Sequence, residues 1–521
     1  MNASKDFDVI IVGAGSNGLS AAATLAMKGK RVCVLEKSDR LGGMAQSRSP
    51  DGPNNAPRIA HLAYNLHPQL MKEFDLTGKI DQRTLPTIAL SPDGKHIELQ
   101  GGIAKYTDGS SHPDAEAYRH LHHTLKKFAA LLSPLALRSP PRFPEQFTLR
   151  SAGELAALAK FGFDLKATGT KDLREFLRIV LSNSYDLIGD KMPDGTLAGS
   201  LAADSIWGAW AGPRSAGTVL SLLYRFGAGG NIALPIGGIN GTIDAIATIA
   251  RNNNADIRVN TAVQSLTIED DRATGVVLED GSRLSSDAVL STLGALPSMM
   301  IAGVTHYDIE AVKRIRNMRT KGMTAKINLQ LNGLPSISGL DQRQLAGRLL
   351  IAPSMNYIEN AFNAAKYGDM PAAPVIEAVI PSLTDTSMQA DGKHTLSVIV
   401  QYIPYHLSEI WSAATREKLA QIVMTALDDY MPGIKQMARD VETLSPLDIE
   451  EITGTPGGHW HHGELSTDQL LTVRPVNGMS NYAFGVSGYY IGGASAHPGG
   501  DVTGLCGRNS AIQLLKDGVL T

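Results

Sequence analysis

Asp8-Val9-Ile10-Ile11-Val12-Gly13-Ala14-Gly15-Ser16-Asn17-Gly18, then an Ala-rich segment from Leu19 to Met27 and Val32-Cys33-Val34-Leu35-Glu36, is the stretch from which the fold is read. An apolar run enters Gly-x-Gly-x-x-Gly, a helical segment follows, and a second apolar run ends in an acidic residue. That order is strand, turn, helix, strand, the opening of an α/β Rossmann sheet. Gly13 allows the tight turn, Gly15 lets the main chain approach a pyrophosphate, and Gly18 lets the helix pack close on the strand. Ser16 and Asn17 stand where the helix begins, and its free N–H groups face phosphate oxygens. Glu36, with Lys37 beside it, is placed to accept hydrogen bonds from a ribose diol. The stretch predicts dinucleotide binding.

Two features choose between NAD and FAD. Arg40-Leu41-Gly42-Gly43 follows Glu36: the double glycine lets the main chain pass close to an extended cofactor, and Arg40 neutralises phosphate charge. An ordinary Gly-Gly loop is the plainer reading of that pair, so the C-terminus decides. There Gly488-Tyr489-Tyr490-Ile491-Gly492-Gly493-Ala494-Ser495-Ala496-His497-Pro498-Gly499-Gly500-Asp501-Val502-Thr503-Gly504 reads as a strand, a glycine-rich turn and a helix through Leu515. A flavin that takes a hydride at N5 becomes anionic around N1 and the C2 carbonyl, and a helix N-terminus stabilises that charge. A nicotinamide enzyme has no need of such an element. FAD is the expected cofactor, with Gly493, Gly500, Asp501 and Val502 at its far end. Backbone near Val263, itself a plain core-strand residue, is expected to hold the adenine.

The 521 residues suffice for two or three domains. With 43% hydrophobic and 19% charged residues the chain reads as an ordinary soluble globular protein, and a net charge of −3 gives no bias towards nucleic acid. The two cysteines, Cys33 and Cys506, form no Cys-x-x-Cys, so neither a disulfide framework nor a redox dithiol is indicated and a reducing, cytoplasmic location is expected. Met1-Asn2-Ala3-Ser4-Lys5-Asp6 enters the first strand directly, so no signal peptide is expected, and no stretch of eighteen apolar residues suggests a membrane span.

The chain alternates between two bodies. Residues 1–60 open the FAD-binding domain. Residues 61–230 read as a mostly helical substrate or cap domain, with helical periodicity at Ala115 to Leu132, Ala152 to Phe161, Leu173 to Asn183 and Leu197 to Trp210 and short strands at Thr87 to Leu90 and His96 to Leu99. Residues 231–296 return to the FAD-binding domain, 297–475 complete the substrate domain, and 476–521 close the FAD-binding domain. In the second excursion Ala325 to Leu331 and Thr395 to Tyr402 alternate as half-buried strands. The apolar, proline-broken segment Leu131 to Arg138, flanked by Arg142, reads as a helix–helix joint, with a membrane-surface lip or substrate entrance left open. The cluster Lys313, Arg314, Arg316 and Arg319 reads as a solvated helix face, with contact to anionic lipid left open.

Five blocks together resemble the phytoene-desaturase-like branch of the FAD-dependent oxidoreductases, which includes the group named for pyridine nucleotide-disulphide oxidoreductase domain 2. They are Gly13 to Gly18 with Glu36, Arg40 to Gly43, Pro235 to Gly241, Gly458-His459-Trp460-His461-His462-Gly463-Glu464-Leu465 through Arg474-Pro475, and His497-Pro498-Gly499-Gly500. The resemblance implies a flavin Rossmann fold with a discontinuous α+β substrate domain and FAD extended between the chain's ends. It also implies hydride transfer from an apolar or amphiphilic small molecule. Relatives usually read a third glycine where this chain has Asp501, which puts a carotenoid substrate in doubt.

For the chemistry, His459, His461 and His462 are the densest titratable set. They read as a turn contacting flavin or substrate, with a structural turn of nearly equal weight, and no fourth ligand supports a metal. His497 is expected to order the loop over the isoalloxazine. His61 and Tyr64 read first as a hydrogen-bonded core pair and second as cavity lining. Lys326 reads as an ordinary exposed lysine, against an analogue of the flavin-facing lysine of amine oxidases. Three functions follow: a desaturase or dehydrogenase that makes a C=C bond and passes electrons to a quinone, an oxidase of a C–N or C–O bond using O2, and a flavin-stabilised interaction protein. Peripheral membrane contact and a dimer are left open.

Overall fold

The computed structural model describes residues 5–48, 56–77, 82–140, 159, 162–163, 166–389 and 392–520. Arg142, residues 49–55, and all but Ala159 of the expected helix Ala152 to Phe161 lie outside the described residues.

The strand Phe7–Val12 sits inside a seven-stranded sheet, parallel to Val32–Leu35 on one side and to Arg283–Ser291 on the other. Both its faces are covered, which is why it reads as an unbroken apolar run rather than an alternating one. The helix Ser16–Ala26 packs between Gly238–Asn252 and Leu505–Asp517. The closeness of these elements rests on glycines: a Cβ on Gly18 would stand 1.9 Å from the Gly13 carbonyl oxygen, and one on Gly507 would stand 1.8 Å from that of Asn17.

Arg283–Ser291 joins two parts of this sheet. Its first half runs antiparallel to Arg272–Leu278, which pairs in turn with Val263–Glu269. Its second half runs parallel to Phe7–Val12 and, through Val289, Leu290 and Ser291, to Tyr489, Tyr490 and Ile491. The chain's two ends thus meet in one sheet. The helix that follows begins at Leu505, beyond the Gly493–Asp501 turn.

An eight-stranded sheet runs in the order Ala438–Leu444, Thr324–Leu331, His394–Gln401, Val375–Val379, Arg348–Ile351, Thr87–Ala89, Ile97–Gln100 and Ile103–Tyr106. One face packs on the helix Ala413–Asp428 through Ala325, Ile327, Leu329 and Leu331. Helices Ala115–Ala136, Thr196–Ala203, Thr218–Arg225 and Met355–Lys366 form a second core with strand residues Ile97, Leu99, Leu350 and Val375. The alternation in Thr324–Leu331 therefore does not mark a solvent face. The strand lies between His394–Gln401 and Ala438–Leu444, and Lys326, expected as an exposed lysine, is fully buried.

The helix expected to run from Leu197 to Trp210 ends at Ala203, freeing Trp207 and Gly208 for a turn with φ of +79° at Gly208. Pro134 stays inside the helix Ala115–Ala136. On the basic helix Ile309–Arg316, Arg314 pairs with Glu310, and Arg319 just beyond it pairs with Glu464 and Asp468, as a solvated helix face requires. Among the described residues no helix is long and apolar enough to cross a membrane.

Candidate functional site

One cavity runs from Glu36 past both glycine-rich turns of the N-terminal unit to Trp207, Glu377 and Ile399 of the eight-stranded sheet and its helices. The first turn is made by Gly13, whose φ of +98° suits only glycine, with Ser16 and Asn17 opening the helix behind it. Gly42, at φ +115°, donates its N–H to the Ala14 carbonyl and bridges to Gly15, so the two turns lie against each other without intervening side chains. Around Gly15 a Cβ would meet nothing nearer than the Gly42 oxygen at 4.0 Å, and one on Gly43 would stand 3.4 Å from the Gly15 Cα. The result is a cradle of backbone that a side chain would fill, as a pyrophosphate site requires.

Glu36 ends the second strand on the cavity wall. Its carboxylate accepts from the Ala14 N–H at 2.8 Å and the Ser38 N–H at 2.9 Å, one bond on each oxygen. An ionised carboxylate has about four lone-pair sites, so both oxygens retain capacity for a diol. Lys37 and Val263 line the same end, with Lys37 reaching towards Gly454. Arg40 lines the cavity beside Gly42, its guanidinium held by Asp39 at 3.0 Å and the Arg48 carbonyl at 3.1 Å. These residues fit FAD.

At the other end Asp501 and Val502 line the cavity, while Gly493 and Gly500 serve packing. A Cβ on Gly493 would stand 2.3 Å from the Thr292 oxygen, and one on Gly500 only 1.7 Å from His461 Nδ1. His497 does not line this cavity. It donates from Nε2 to the Leu135 carbonyl at 2.8 Å and lies on a smaller apolar pocket behind the 497–501 loop.

His459, His461 and His462 all line the cavity, the first two buried and His462 half-buried. His459 Nδ1 accepts from the His461 N–H at 3.1 Å, and His461 Nδ1 accepts from the Asp501 N–H at 3.0 Å. An imidazole whose Nδ1 accepts carries its proton on Nε2. Both rings are therefore neutral donors towards anything they meet through Nε2, not bases. Burial, and then the Arg474 charge, holds His461 down at about 3 and His462 at about 4. The block is anchored by Arg474, fully buried and bonded to the carbonyls of His461, Gly463, Glu464 and Gln469 and of Ala494 and Ala496 across the turn.

Beneath the cavity lies a buried charged network. Glu377 accepts from His61 Nε2 at 3.0 Å, the Tyr64 hydroxyl at 2.6 Å and Arg348 Nε at 2.6 Å. Arg348 reaches on to Asp204 at 2.7 Å, and Lys326 bonds Ser397 at 2.6 Å and His61 Nδ1 at 3.1 Å. Burial pushes Lys326 down to about 7. It pushes His61 down to about 4, with the Lys326 charge adding to it. Burial alone would raise Glu377, but Arg348 and His61 hold it well below the usual carboxylate range. His61 and Tyr64 are thus core partners and cavity lining at once. Lys326 sits behind His61 and off the cavity wall.

Sequence reasoning missed Arg225, Arg348, Glu377 and Asp204. A signal existed: Glu377 is the one charged residue in the run Val375–Val379, and a lone carboxylate in a buried strand needs a partner.

A Rossmann-type sheet, a backbone cradle at Gly13–Gly18, a glutamate at the end of the next strand and a second glycine-rich turn bounding the same cavity fit the class of FAD-binding oxidoreductases. Residues 18–504 match the model of the flavin containing amine oxidoreductase family, and the chain belongs to that family, whose cofactor is FAD. The pyridine nucleotide-disulfide oxidoreductase domain-containing protein 2 of Mus musculus is 30% identical over 555 residues, covering 98% of this chain and 94% of that protein. The phytoene desaturase (neurosporene-forming) of Rhodobacter capsulatus is 23% identical over 527 residues, covering 98% and 94%. An oxidoreductase structure from Methanosarcina mazei superposes with a TM-score of 0.59 at 16% identity, covering 98% of this chain and 99% of that one, and so shares the fold.

Proposed function

We propose that this oxidoreductase dehydrogenates an apolar or amphiphilic small molecule, forming a C=C bond, with a quinone as the electron acceptor. The observation that carries the reading is the continuation of the cofactor cavity, without a break, onto a wall of Leu62, Trp207, Ala209, Met323 and Ile399. Such a wall holds hydrocarbon and excludes water. FAD, when bound along Gly13–Gly18, Glu36 and Arg40–Gly43, supplies the hydride acceptor. The chain's part is to hold the substrate C–H against it and keep the surroundings dry. Asp501 and Val502 bound the cavity near the closing turn, Arg474 fixes that turn, and His459 and His461 stand as neutral N–H donors.

A second reading, oxidation of a C–N or C–O bond with O2, is favoured by the Lys326–His61–Glu377 network, where a lysine poised near neutral pH stands one residue behind the wall. One experiment separates the two. The flavin of the purified protein is reduced anaerobically, air is admitted, and the oxidised-flavin absorbance is followed. Recovery over many minutes, hastened by a quinone, is expected. Recovery within seconds would replace the dehydrogenase reading with the oxidase. Absence of a flavin band after FAD is added would remove both.

A further inference from the structure

Arg225 ends the helix Thr218–Arg225 and forms part of the cavity wall, with only 10% of its side chain exposed. Its Cζ lies 3.2 Å from the centroid of the Tyr64 ring and 5.8 Å from that of Trp207. The Tyr64 hydroxyl is committed to Glu377, so the ring is a fixed platform for the guanidinium. The nearest carboxylates are Asp501 at 3.7 Å and Asp204 at 3.8 Å, both beyond hydrogen-bond reach. Each is already engaged, Asp204 by Arg348 at 2.7 Å and Asp501 by the Asn65 amide at 2.8 Å. Arg225 therefore makes no hydrogen bond to a described residue, and its Nε is buried without a partner.

His461 stands on the other side of Asp501. Its Nδ1 takes the Asp501 N–H, leaving a proton on Nε2 that meets no acceptor among the described residues. Two donor-only groups thus flank one residue at one cavity. A buried donor left unmatched costs about 1–3 kcal/mol, and more when charged, so such a pair marks a place for an acceptor.

We propose that Arg225 and His461 form an acceptor-binding subsite that holds an uncharged oxygen, such as a ketone, ester or amide carbonyl, of an otherwise apolar substrate. The inference rests on the oxidation of an apolar substrate proposed above and narrows its class. Charge chooses the uncharged form: Asp204 and Asp501 already stand within 4 Å of the guanidinium, so it lacks hydrogen bonds rather than counter-charge. A substrate carboxylate would add a third negative group at short range. An ammonium would face the guanidinium, and a pure hydrocarbon would seal both donors away from water without a partner. Arg225 and Tyr64 also line a smaller polar pocket with Thr87, Gln100 and Asp204, and they share no hydrogen-bond partner with the Glu36–Gly43 cradle. This separates the subsite from the adenine and pyrophosphate cradle, and the effect of Arg225 variants on FAD affinity separates it from the flavin ring.

The test compares three probes that share the phenylbutyl skeleton on the FAD-loaded protein, 4-phenyl-2-butanone, butylbenzene and 4-phenylbutan-2-amine, by calorimetry and by perturbation of the flavin spectrum. The ketone is expected to bind at least tenfold more tightly than either of the others. In Arg225→Met the preference should fall to near one. Arg225→Lys keeps the charge between the two carboxylates but loses the planar fork, and should lose at least threefold of the preference, which keeps the test decisive where the methionine variant does not fold. Equal or better binding of butylbenzene or of the amine overturns the subsite and leaves flavin-dependent oxidation standing. Unchanged preference in the folded variants, or a weaker FAD affinity in place of a lost ketone preference, also overturns it. No binding by any of the three overturns both the subsite and the apolar-substrate reading.

Discussion

Arg474 Nη2 donates to the carbonyl oxygen of Ala494 at 2.6 Å, joining the histidine block to the turn that closes the cofactor cavity. No carboxylate shares this contact. Every hydrogen-bond partner of the guanidinium among the described residues is a backbone carbonyl, and burial holds its pKa below the ordinary arginine value. Two loops with little regular structure thus keep one geometry because one planar fork satisfies oxygens from both. Arg474→Lys supplies three donors in place of five and leaves carbonyls unpaired in the interior. It should lower unfolding free energy by about 1–3 kcal/mol and weaken FAD retention with it, read by denaturant titration and by flavin content after gel filtration. Unchanged stability would mean that the loops hold their shape without the fork.

Gly15 and Gly18 belong to one motif and should respond differently to alanine. Gly15 has φ −72° and ψ 179°, extended backbone open to any residue, and a methyl there meets nothing within contact distance but occupies the cradle. Gly15→Ala should keep stability within about 0.5 kcal/mol while FAD affinity falls at least tenfold. Gly18→Ala drives a methyl to 1.9 Å from the Gly13 oxygen, so strand and helix must separate. That variant should lose about 1–3 kcal/mol of stability along with FAD. Paired melting curves and FAD titrations would show the split, and identical behaviour of the two would remove the pyrophosphate role of Gly15.

Glu36→Ala removes the carboxylate proposed to hold the ribose diol and strips the Ala14 and Ser38 N–H groups of their acceptor. Loss of bonds to a charged group predicts a fall in FAD affinity of about 1.5–3 kcal/mol, roughly 10- to 100-fold in Kd. Fluorescence titration of the apoprotein with FAD measures it, and full occupancy after dialysis would contradict the assignment.

The cofactor half of the site was legible because its constraints are local. A turn, a close backbone approach and a helix start lie within six residues of Gly13, and Glu36 follows at the end of the next strand. The closing turn was readable as a turn for the same reason, but not which of its residues meet the cavity: Asp501 and Val502 do, while Gly493 and Gly500 pack against Thr292 and His461. On the opposite wall His61 and Tyr64 were legible as a core pair or cavity lining, but Arg225 and Glu377 were not, because they come together from distant parts of the chain and neither sits in a motif. The period-2 rule also failed at Lys326. It assumes one wet face, and Thr324–Leu331 is an interior strand with neighbours on both sides and cover on both faces. For His459 and His461 the residue types were evident but not the tautomers, which backbone N–H groups of Asp501 and His461 set.

The burial of Lys326 has a pH signature of defined sign. Its ammonium is disfavoured in the fold, with a pKa of about 7, and carries the ordinary value of 10.5 when the chain unfolds. Below about pH 7 both states bind the proton and the fold carries the whole penalty. Between about 7 and 10.5 the unfolded chain holds more protons than the folded one, so stability rises with pH across that window. The histidines do not compete there, since those whose pKa is shifted lie below 6.5 and are already neutral. The two cysteines oppose it only higher up: burial raises Cys33 to about 12 and Cys506 to about 11, so their effect begins as unfolded thiols ionise near 9. From pH 7 to 8, wild-type unfolding free energy should therefore climb more steeply than that of Lys326→Met, by about 1 kcal/mol per pH unit. Denaturant titrations at about pH 7, 7.5 and 8 measure both slopes. Parallel lines for the two proteins would mean that Lys326 keeps its proton in the fold, and the ion network beneath the cavity would then hold one more positive charge than its hydrogen bonds to His61 and Ser397 require.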